Sequence, residues 1–412
     1  MTLREAEAYL LDLELFGMRF GLDRMHKLMT VLGMPQRRFA SIHVVGTNGK
    51  SSTTRMIAAI LERHGLRTGT YTSPHLRSFA ERIEVREQPL DGASFAAAVA
   101  RAAHAAQMVD RIADEDDRVT QFEALTAAAY SELARRGVEV AVIEAGLGGR
   151  YDATNVIPSR VQVLTSVGLE HTRWLGPTVT DIAEEKLAVV RDHATLVVGE
   201  LDAEAAAVAR RVAAERHSRL VRAPVEAEAP RRAPGAFQRR NFGVARAAVE
   251  AFLGKLDAGA VLHAAEEVVI PGRMEIVGDA PLTIHDGAHN PSGAAALAEA
   301  LPDVVGARRP VVGAVAILDD KDAPGMLREV LPRFDRVVFT RSANPRSLPP
   351  ATLLTLCEQL GGPPAEVAPT ARAAVSRARE IAGREGAVVV TGSIYLIAEL
   401  VREEGAERAS AL

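Results

Sequence analysis

Short runs of β-branched apolar residues alternate along the chain with longer, alanine-rich segments. The short runs are typical of buried strands, and the longer segments have helical patterns. The predicted strands are Ile42–Val45, Val138–Ile143, Val161–Val167, Thr195–Val198, Leu282–His285, Val311–Ile317, Arg336–Thr340 and Ala387–Thr391. The predicted helices include Thr54–Arg63, Gln121–Arg135 and Asn290–Ala300. Because strands separated by helices form parallel sheets covered by helices, the pattern predicts an α/β fold.

Two breaks divide this alternation. The stretch Glu226–Arg240 is rich in proline and arginine, and we interpret it as an exposed connection. A second break runs from Pro271 to Pro281, after which strands and helices alternate again. We therefore expect a larger domain, residues 1–275, followed by a smaller domain, residues 276–412. The opening stretch, MTLREAEAYLLDLELF, has acids among its leucines and predicts an amphipathic helix rather than a signal peptide.

Composition narrows the classes of protein that remain. The 412 residues are 48% hydrophobic and 25% charged, as expected for a globular protein of two or three domains. A net charge of −4 argues against general binding of nucleic acid or acidic membranes. Since no apolar run approaches about 18 residues, no membrane span is expected. The single cysteine, Cys357, cannot form an internal disulfide, which fits a reducing, cytoplasmic location.

The stretch VVGTNGKSST, Val44 to Thr53, is the first candidate site. Glycines allow backbone N–H groups to face phosphate oxygens, and a following helix adds its positive end. The common spacing, G-x-x-x-x-G-K-[ST], fails here because the residue six positions before Lys50 is Val44. What remains is a compressed G-x-x-G-K-S after a predicted strand. Alone, it fits a phosphate cradle and an ordinary strand-to-helix turn about equally well.

Four further stretches carry candidate chemistry. Glu144 ends a predicted strand, where α/β proteins bind ligands, although such an acid is more often a helix cap or a surface charge. His171 follows another strand, where a lone histidine is more often structural. Ser73 lies on the loop YTSPHL, and Lys186 lies in DIAEEKLAVV, where a solvated helix face is the simpler interpretation. None of these stretches identifies a reaction alone.

Together with the loop, these stretches resemble the Mur ligase superfamily, and within it the folylpolyglutamate and dihydrofolate synthases. The matching segments occur in the family's order between residues 42 and 396. They are GTNGK (Gly46–Lys50), SPHL (Ser73–Leu76), TQFE (Thr120–Glu123), EAGLGGRYDATN (Glu144–Asn155), GLEHTRWLG (Gly168–Gly176), EK (Glu185-Lys186), NFGVA around Asn241, PGRME (Pro271–Glu275), DGAHNPSG (Asp286–Gly293), DDKD (Asp319–Asp322) and VVVTGSIYL (Val388–Leu396). The resemblance implies an N-terminal P-loop ATPase domain with a mainly parallel sheet, followed by a smaller, Rossmann-like C-terminal α/β domain.

The resemblance also implies an activity. Such enzymes use ATP to convert a carboxylate of dihydropteroate or of a (tetrahydro)folate into an acyl phosphate, which the α-amine of L-glutamate then attacks. The chemistry depends on neutralising phosphate charge and on positioning more than on a protein nucleophile. Whether this chain accepts both dihydropteroate and folates, or folates only, stays open. By the same resemblance, the protein is a monomer with small-molecule substrates.

Ligands of the nucleotide and of magnesium follow from the same resemblance. ATP is assigned to a cradle made of Asn48, Gly49, Lys50, Ser51 and Ser52, with Asn241, Arg273 and Asp286 as further contacts. One Mg²⁺ is assigned to Ser73, Glu144 and His171. Lys186 matches the lysine that CO2 carbamylates in this family, and the new carboxylate would hold a second Mg²⁺. This modification needs a deprotonated amine, whereas an unperturbed lysine has a pKa of about 10.4.

The remaining assignments concern catalysis and the pterin substrate. Lys50, Lys186 and His289 are the candidate catalytic residues, although a purely structural role at a helix start is the less favoured alternative for His289. The pterin positions are Gly21, Leu22, Asp23 and Arg24, then Thr120, Phe122 and Glu123, and finally Tyr151, Asp152 and Ala153. Phe122 offers a flat apolar surface to an aromatic ligand, or it is a core residue of the following helix. The glutamate site is expected in the C-terminal domain, around Asp319–Asp322 and Ser393, and that domain is expected to close on ATP.

The sequence departs from the family pattern at three places, and two rival interpretations compete with the resemblance. Ser51 stands where the family usually has glycine, Glu170 where it has aspartate, and LAVV after Lys186 where AGI is typical. A peptidoglycan Mur ligase would need an N-terminal domain for which a phosphate loop at Gly46 leaves no room. A nucleotide-binding paralogue without ligase activity is disfavoured because the charged site residues are all retained.

Overall fold

The structure is a computed structural model that describes residues 1–13, 21–114, 117–225 and 230–402. The chain separates into two compact units. The first contains the described residues up to 225 together with Arg240–Glu266, and the second contains 230–239 together with the described residues from 267 onward. Each unit has its own sheet and its own apolar core. Within the described ranges, no helix is long and apolar enough to cross a membrane.

The first unit is built on an eight-stranded sheet. Its strands are β1 (Ala40–Val45), β2 (Thr68–Tyr71), β3 (Ile83–Val85), β4 (Gln88–Pro89), β5 (Val140–Glu144), β6 (Val161–Leu164), β7 (Thr195–Val198) and β8 (Arg219–Arg222). Their order across the sheet is β4, β3, β2, β5, β1, β6, β7, β8. All neighbours from β2 to β8 pair in parallel, and β3 and β4 extend one edge in antiparallel fashion. The carboxyl ends of β5, β1 and β6 therefore lie side by side at one edge of the sheet.

Helices flank this sheet and contribute most of its core. They are α1 (Leu3–Asp12), α2 (Asp23–Val31), α3 (Lys50–Arg63), α4 (Gly92–Asp110), α5 (Gln121–Arg135), α6 (Thr172–Leu175), α7 (Val179–Leu187) and α8 (Ala203–Glu215). Two more, α9 (Ala236–Leu253) and α10 (Ala258–Glu267), follow before the second sheet. The core between α1, α4, α5 and the sheet includes Phe95, Tyr130, Leu133 and Ile143. Helices α5 and α7 both begin with a capping box, Thr120 with Glu123 and Thr178 with Asp181, which fixes where each helix starts.

The second unit is a smaller α/β unit with a six-stranded sheet. Its strands are β9 (Glu275–Asp279), β10 (Leu282–His285), β11 (Val311–Val315), β12 (Arg336–Phe339), β13 (Ala365–Val367) and β14 (Ala387–Thr391). The order is β13, β12, β11, β14, β10, β9, and only β9 pairs in antiparallel fashion. Its helices are α11 (Pro291–Val305), α12 (Ala323–Val330), α13 (Pro350–Gln359), α14 (Ala371–Ala382) and α15 (Ile394–Val401). The predicted fold class, two α/β units with mainly parallel sheets, is confirmed.

One interpretation of the sequence was wrong. The stretch Glu226–Arg240 is not an exposed connection over its described residues, because α9 begins at Ala236 and both Ala233 and Gln238 are fully buried. Phe237 packs against the core of the second unit. The segment therefore has an apolar, buried side, which its many arginines made difficult to recognise from the sequence. Residues 226–229 of that stretch lie outside the described residues, as do 14–16 of the predicted first helix.

Candidate active site

The compressed loop Gly46–Gly49 connects β1 to α3, which begins at Lys50. Gly46 and Gly49 have φ angles of 150° and 85°, a region that favours glycine. A Cβ on Gly49 would stand 2.5 Å from Oδ1 of Asn241, so Asn241 lies directly over the loop. The sequence therefore forms a strand, a tight glycine turn and a helix N-terminus, which is the arrangement that presents backbone N–H groups to phosphate.

The loop is tied to the end of the neighbouring strand β6. Thr47 N donates to Ser166 O (2.9 Å), and Asn48 N donates to Ser166 Oγ (3.0 Å). Thr165 Oγ1 in turn donates to Asn48 O (2.7 Å). Thr165 and Ser166 were not among the predicted site residues. The available signal was a pair of small hydroxyl residues at the end of a strand, which becomes informative only once β6 is known to lie beside β1.

Two predicted catalytic lysines converge on one carbonyl oxygen. Lys50 Nζ donates to Gly46 O (3.0 Å) and to Thr47 O (3.1 Å), and Lys186 Nζ donates to the same Gly46 O (2.9 Å). Lys186 is only 4% exposed, so it does not lie on a solvated helix face. Burial, reinforced by the positive charge of Lys50, lowers the pKa of Lys186 to about 7. Near neutral pH a large share of Lys186 is therefore the neutral amine.

This lowered pKa makes a testable contribution to stability. Between about pH 7 and the unfolded pKa of Lys186, the unfolded chain binds more protons than the folded chain, so stability must rise with pH. Relative to a Lys186→Met variant, we expect the free energy of unfolding of the wild type to rise by on the order of 1 kcal/mol per pH unit between pH 7.5 and 9.5. Urea unfolding of both proteins in CO2-free buffer measures this, and a constant difference across the range would contradict the burial of a titrating lysine.

Ser51, Ser73 and Glu144 are brought together beside the loop. Glu144, at the end of β5, is 1% exposed, which excludes a surface charge. Its Oε1 accepts a hydrogen bond from Ser51 Oγ (2.9 Å), and its Oε2 accepts one from Ser73 N (3.1 Å). Ser51, which stands where the family usually has glycine, thus contacts the Glu144 carboxylate at the end of β5. A loop serine next to a strand-end acid is the pair that holds Mg²⁺ in P-loop NTPases.

His171 lies at the start of α6, three residues beyond the loop-contacting Gly168. Its φ angle of 52° places it in the left-handed region, and its side chain is 38% exposed. The ring Nε2 is 3.8 Å from Oε1 of Glu170, the residue that replaces the usual aspartate. Among the residues that the structure describes, no group of three or more His, Cys, Asp or Glu side chains is arranged to hold a metal ion. Any ion here would depend on serine oxygens and water as well.

Two predicted pterin segments, Gly21–Arg24 and Thr120–Glu123, meet through a buried ion pair. Arg24 Nε lies 3.0 and 3.1 Å from the two carboxylate oxygens of Glu123, and Arg24 also pairs with Asp117. The Glu123 carboxylate further accepts a hydrogen bond from Thr120 N (2.9 Å) in the capping box of α5. Arg24 and Glu123 therefore hold the start of α5. Gly21 has a φ of 136°, Leu22 precedes α2, and Asp23 is its exposed first residue.

Phe122 and the loop after β5 form the third part of this region. The half-buried Phe122 ring packs over Gly146, where a Cβ would stand 2.5 Å from Cζ, and it lies 6.0 Å from the Tyr71 ring. In the same loop Tyr151 is 40% exposed, whereas Ala153 belongs to the apolar core. Asp152 is buried, which raises the pKa of its carboxyl group, and its Oδ2 accepts a hydrogen bond from Leu147 N (2.8 Å). The structure thus brings Phe122 and the glycine-rich loop into contact.

Three predicted residues of the second unit, Arg273, Asp286 and His289, cluster near the end of β10, whereas Asp319–Asp322 lie between β11 and α12 and Ser393 precedes α15. Asp286 accepts hydrogen bonds from Met274 N (2.8 Å) and Ala288 N (2.9 Å), and burial raises its pKa while the charge of Arg273 opposes that shift. The Arg273 guanidinium lies against Gly287, where no Cβ would fit. His289 Nδ1 lies 2.9 Å from Gly287 O, one residue before the Asn290 cap of α11. Arg273, Asp286 and His289 are therefore neighbours.

Comparisons with known proteins agree with this architecture. Residues 44–252 match the model of the Mur ligase middle domain, and residues 272–394 match that of the Mur ligase glutamate ligase domain. The chain belongs to the Mur ligase family, as the resemblance predicted.

Its relatives within that family are the dihydrofolate and folylpolyglutamate synthases. The dihydrofolate synthase/folylpolyglutamate synthase of Mycobacterium tuberculosis is 33% identical over 382 residues, covering 83% of this chain and 78% of that protein. The Escherichia coli protein of the same name is 31% identical over 421 residues, with 97% and 95% covered. Among solved structures, M. tuberculosis folylpolyglutamate synthase complexed with ADP superposes with a TM-score of 0.89 at 33% identity, covering 96% of each chain. E. coli FolC in complex with DHPP and ADP reaches 0.86 at 28% identity, with 97% of each chain covered.

Proposed function

We propose that this chain is an ATP-dependent ligase that joins L-glutamate to dihydropteroate and to reduced folates through an acyl phosphate. The observation that carries the proposal is the convergence of Lys50 and Lys186 on Gly46 O, next to the Ser51–Glu144–Ser73 cluster. The cationic Lys50 beside a glycine turn, with a buried carboxylate next to it that suits a metal ion, fits phosphoryl transfer, which needs compensating charge more than a protein nucleophile. The names of the relatives, most of them given both synthase activities, favour the bifunctional form.

The residues of the loop supply charge and orientation in this reaction. Lys50, now bound to two carbonyl oxygens, would turn its ammonium to the β- and γ-phosphates of ATP, while the backbone N–H groups of Gly49–Ser52 would face the phosphates and Asn48 would be held by Ser166. The substrate carboxylate attacks the γ-phosphorus, ADP leaves, and the glutamate amine then displaces phosphate from the acyl phosphate. Asn241, Arg273 and Asp286 are proposed ATP contacts, and His289 is proposed to orient the reacting groups. Residues 1–275 and 276–412 are proposed as the two domains, although the described residues 230–239 and 267–275 belong to the second compact unit.

The donor set fits Mg²⁺ at the loop. Glu144 gives a buried carboxylate, which the hydroxyl of Ser51 and the backbone N–H of Ser73 contact. The Ser73 hydroxyl and the His171 imidazole are the further proposed ligands, and Mg²⁺ keeps several water ligands of its own. When bound, the ion would neutralise charge on the phosphates. Lys186 also fits carbamylation, because its burial and lowered pKa leave an unprotonated amine near neutral pH. Its carbamate would provide the carboxylate for a second Mg²⁺.

For the pterin substrate we propose three segments of the first unit. They are Gly21–Arg24, then Thr120, Phe122 and Glu123, and then Tyr151, Asp152 and Ala153. The contact of Phe122 with Gly146 supports a shared binding surface, since it places the ring next to the loop that carries Asp152. Arg24 and Glu123 would act by holding that surface in place through their ion pair. The protein is proposed to be a monomer.

Phosphate release from ATP tests the proposal. With Mg²⁺ and L-glutamate present, we expect release that depends on added dihydropteroate and, in separate reactions, on added tetrahydrofolate. Release with tetrahydrofolate alone would establish the second candidate, a folylpolyglutamate synthase without dihydrofolate synthase activity. If neither pterin substrate raises release above the background without it, the ligase proposal is refuted and the nucleotide-binding paralogue remains.

A further inference from the structure

Thr154 joins three elements that the proposed reaction uses. Its Oγ1 lies 2.8 Å from Nε2 of His43 on β1, the strand that leads into the phosphate loop. Its carbonyl oxygen accepts a hydrogen bond from Tyr130 OH (2.9 Å) on α5, the helix that carries Phe122. Its hydroxyl also donates to Oδ1 of Asp152 in the glycine-rich loop. All four side chains are buried.

The protons of this cluster can be assigned. Both oxygens of Asp152 accept, Oδ1 from Thr154 N (3.0 Å) and from Thr154 Oγ1, and Oδ2 from Leu147 N (2.8 Å). Both oxygens of Asp152 thus act as acceptors, and the single hydroxyl proton of Thr154 is directed at Oδ1. The Thr154 oxygen then accepts from His43, which must carry its proton on Nε2. Burial and the nearby Arg191 lower the pKa of His43 to about 3, so the ring is neutral with one N–H.

The direction of these bonds fixes the position of the Asp152 loop. His43 lies three residues before Gly46 on a central strand, so its ring position is set by the sheet. Thr154 is hydrogen-bonded both to His43 and to Asp152, so the Asp152 side chain is held relative to the sheet. Asp152 Oδ2 in turn accepts a hydrogen bond from Leu147 N, which holds the other end of the loop. In the same turn, a Cβ on Gly149 would stand 2.6 Å from Lys186 O and 2.9 Å from Glu185 O, so its backbone is packed against the end of α7.

We propose that His43 and Thr154 are positioning residues for the pterin-bearing substrate. Neither touches the reacting atoms. Through the Asp152 side chain they hold the Gly146–Asp152 loop against Phe122, and they couple that loop to the strand of the phosphate loop. This inference rests on the proposed function, since it concerns the substrate that the Asp152 loop and Phe122 bind. Its specific consequence is that the cluster controls binding of the pterin substrate and leaves binding of ATP unaffected.

Isosteric substitutions in the full-length protein test whether Thr154 positions the binding surface for the pterin substrate. Thr154→Val keeps the shape of the side chain but removes both the donor to Asp152 and the acceptor for His43, whereas Thr154→Ser keeps them. We expect Thr154→Val to raise the KM for the pterin substrate about tenfold, because a hydrogen bond to a buried carboxyl group is lost. The KM for ATP and kcat at saturating substrate should stay within about twofold, and Thr154→Ser should restore the wild-type KM.

Variants of His43 test the same positioning role without relying on Thr154→Val. His43→Gln keeps an N–H close to the position of Nε2 and should resemble wild type, while His43→Leu should raise the same KM. The double variant of His43→Leu and Thr154→Val should be no worse than Thr154→Val alone, because both changes break one chain of bonds. Thr54→Val is the control, since the buried hydroxyl of Thr54 has no hydrogen-bond partner among the described residues.

The outcomes separate this inference from the proposed function. A wild type without substrate-dependent phosphate release refutes the function. An active wild type, with Thr154→Val unchanged in its pterin KM, refutes the positioning role. Equal rises in the KM for ATP and for the pterin substrate also refute it, because they would indicate general loosening of the core. If Thr154→Val does not fold, the comparison of His43→Gln with His43→Leu decides in the same way.

Discussion

Replacement of Lys50 by alanine is expected to lower substrate-dependent phosphate release by on the order of a thousandfold or more. Lys50 is the first residue of α3, and its ammonium group now lies between two carbonyl oxygens of the loop, Gly46 O and Thr47 O. Without the Lys50 ammonium group, the negative charge on the phosphoryl group is less well stabilised in the transition state of the transfer. The measurement is phosphate release at saturating ATP, glutamate and pterin substrate.

Lys255→Ala is the matched control for this experiment. Lys255 is exposed on the turn between α9 and α10, so the same loss of one ammonium group there should leave turnover within about twofold of wild type. Circular dichroism should show the same fold for both variants, because Lys50 is only partly buried and does not belong to an apolar core. Turnover of Lys50→Ala close to that of Lys255→Ala would overturn the assignment of the loop as a phosphate cradle.

Lys186→Ala is expected to lower turnover by at least about a hundredfold. The reason differs from that for Lys50, because the proposed active form of Lys186 is a negatively charged carbamate. Its formation requires the neutral amine, so activity should fall as the pH drops below the Lys186 pKa of about 7. In wild-type protein stripped of CO2, activity should drop and bicarbonate should restore it. In Lys186→Ala, bicarbonate should have no effect, while a short carboxylic acid such as acetate should restore part of the activity.

Two results would count against the carbamate. Wild-type activity that is indifferent to CO2 and bicarbonate at pH 7.5 would remove the basis for the modification. Rescue of Lys186→Ala by ethylamine instead of acetate would show that a positive charge is needed at this position. In that case Lys186 would act alongside Lys50 as a second cation at Gly46 O.

The sequence predicted strands with continuous apolar runs well and missed strands without such runs, for a physical reason. Thr195–Val198, Leu282–His285 and Ala387–Thr391 match the observed strands residue for residue, because strands buried on both faces need continuous apolar runs. Strand β2, TGTY, was missed because its burial depends on a glycine packed under Leu133 and Val138 and not on a large apolar side chain. Edge strand β8, RLVR, was missed because it is short and charged at both ends.

In the candidate site, too, some residues could be assigned from the sequence, whereas other contacts became known only from the structure. Lys50, Ser73 and Glu144 were assigned to the candidate site through the resemblance to the family, because the glycine turn and the strand-end acid are weak signals on their own. The environment of Lys186 could not be predicted from its helix, since its burial and its partner Gly46 O come from a segment 140 residues away. The ion pair of Arg24 with Glu123 and the cluster around Thr154 likewise depend on contacts across about a hundred residues.

The bonds between the phosphate loop and β6 affect the thermodynamics of nucleotide binding. Because Ser166 and Thr165 already hold both the N–H and the carbonyl of Asn48, the loop backbone loses little conformational entropy when a nucleotide arrives. The free energy of its contacts with the α- and β-phosphates then appears almost entirely as affinity. In the proposed cradle, ADP would make those same contacts and would lack only the transferred group. A rigid cradle of this kind therefore retains its product, and departure of ADP becomes a natural candidate for the slow step of the catalytic cycle.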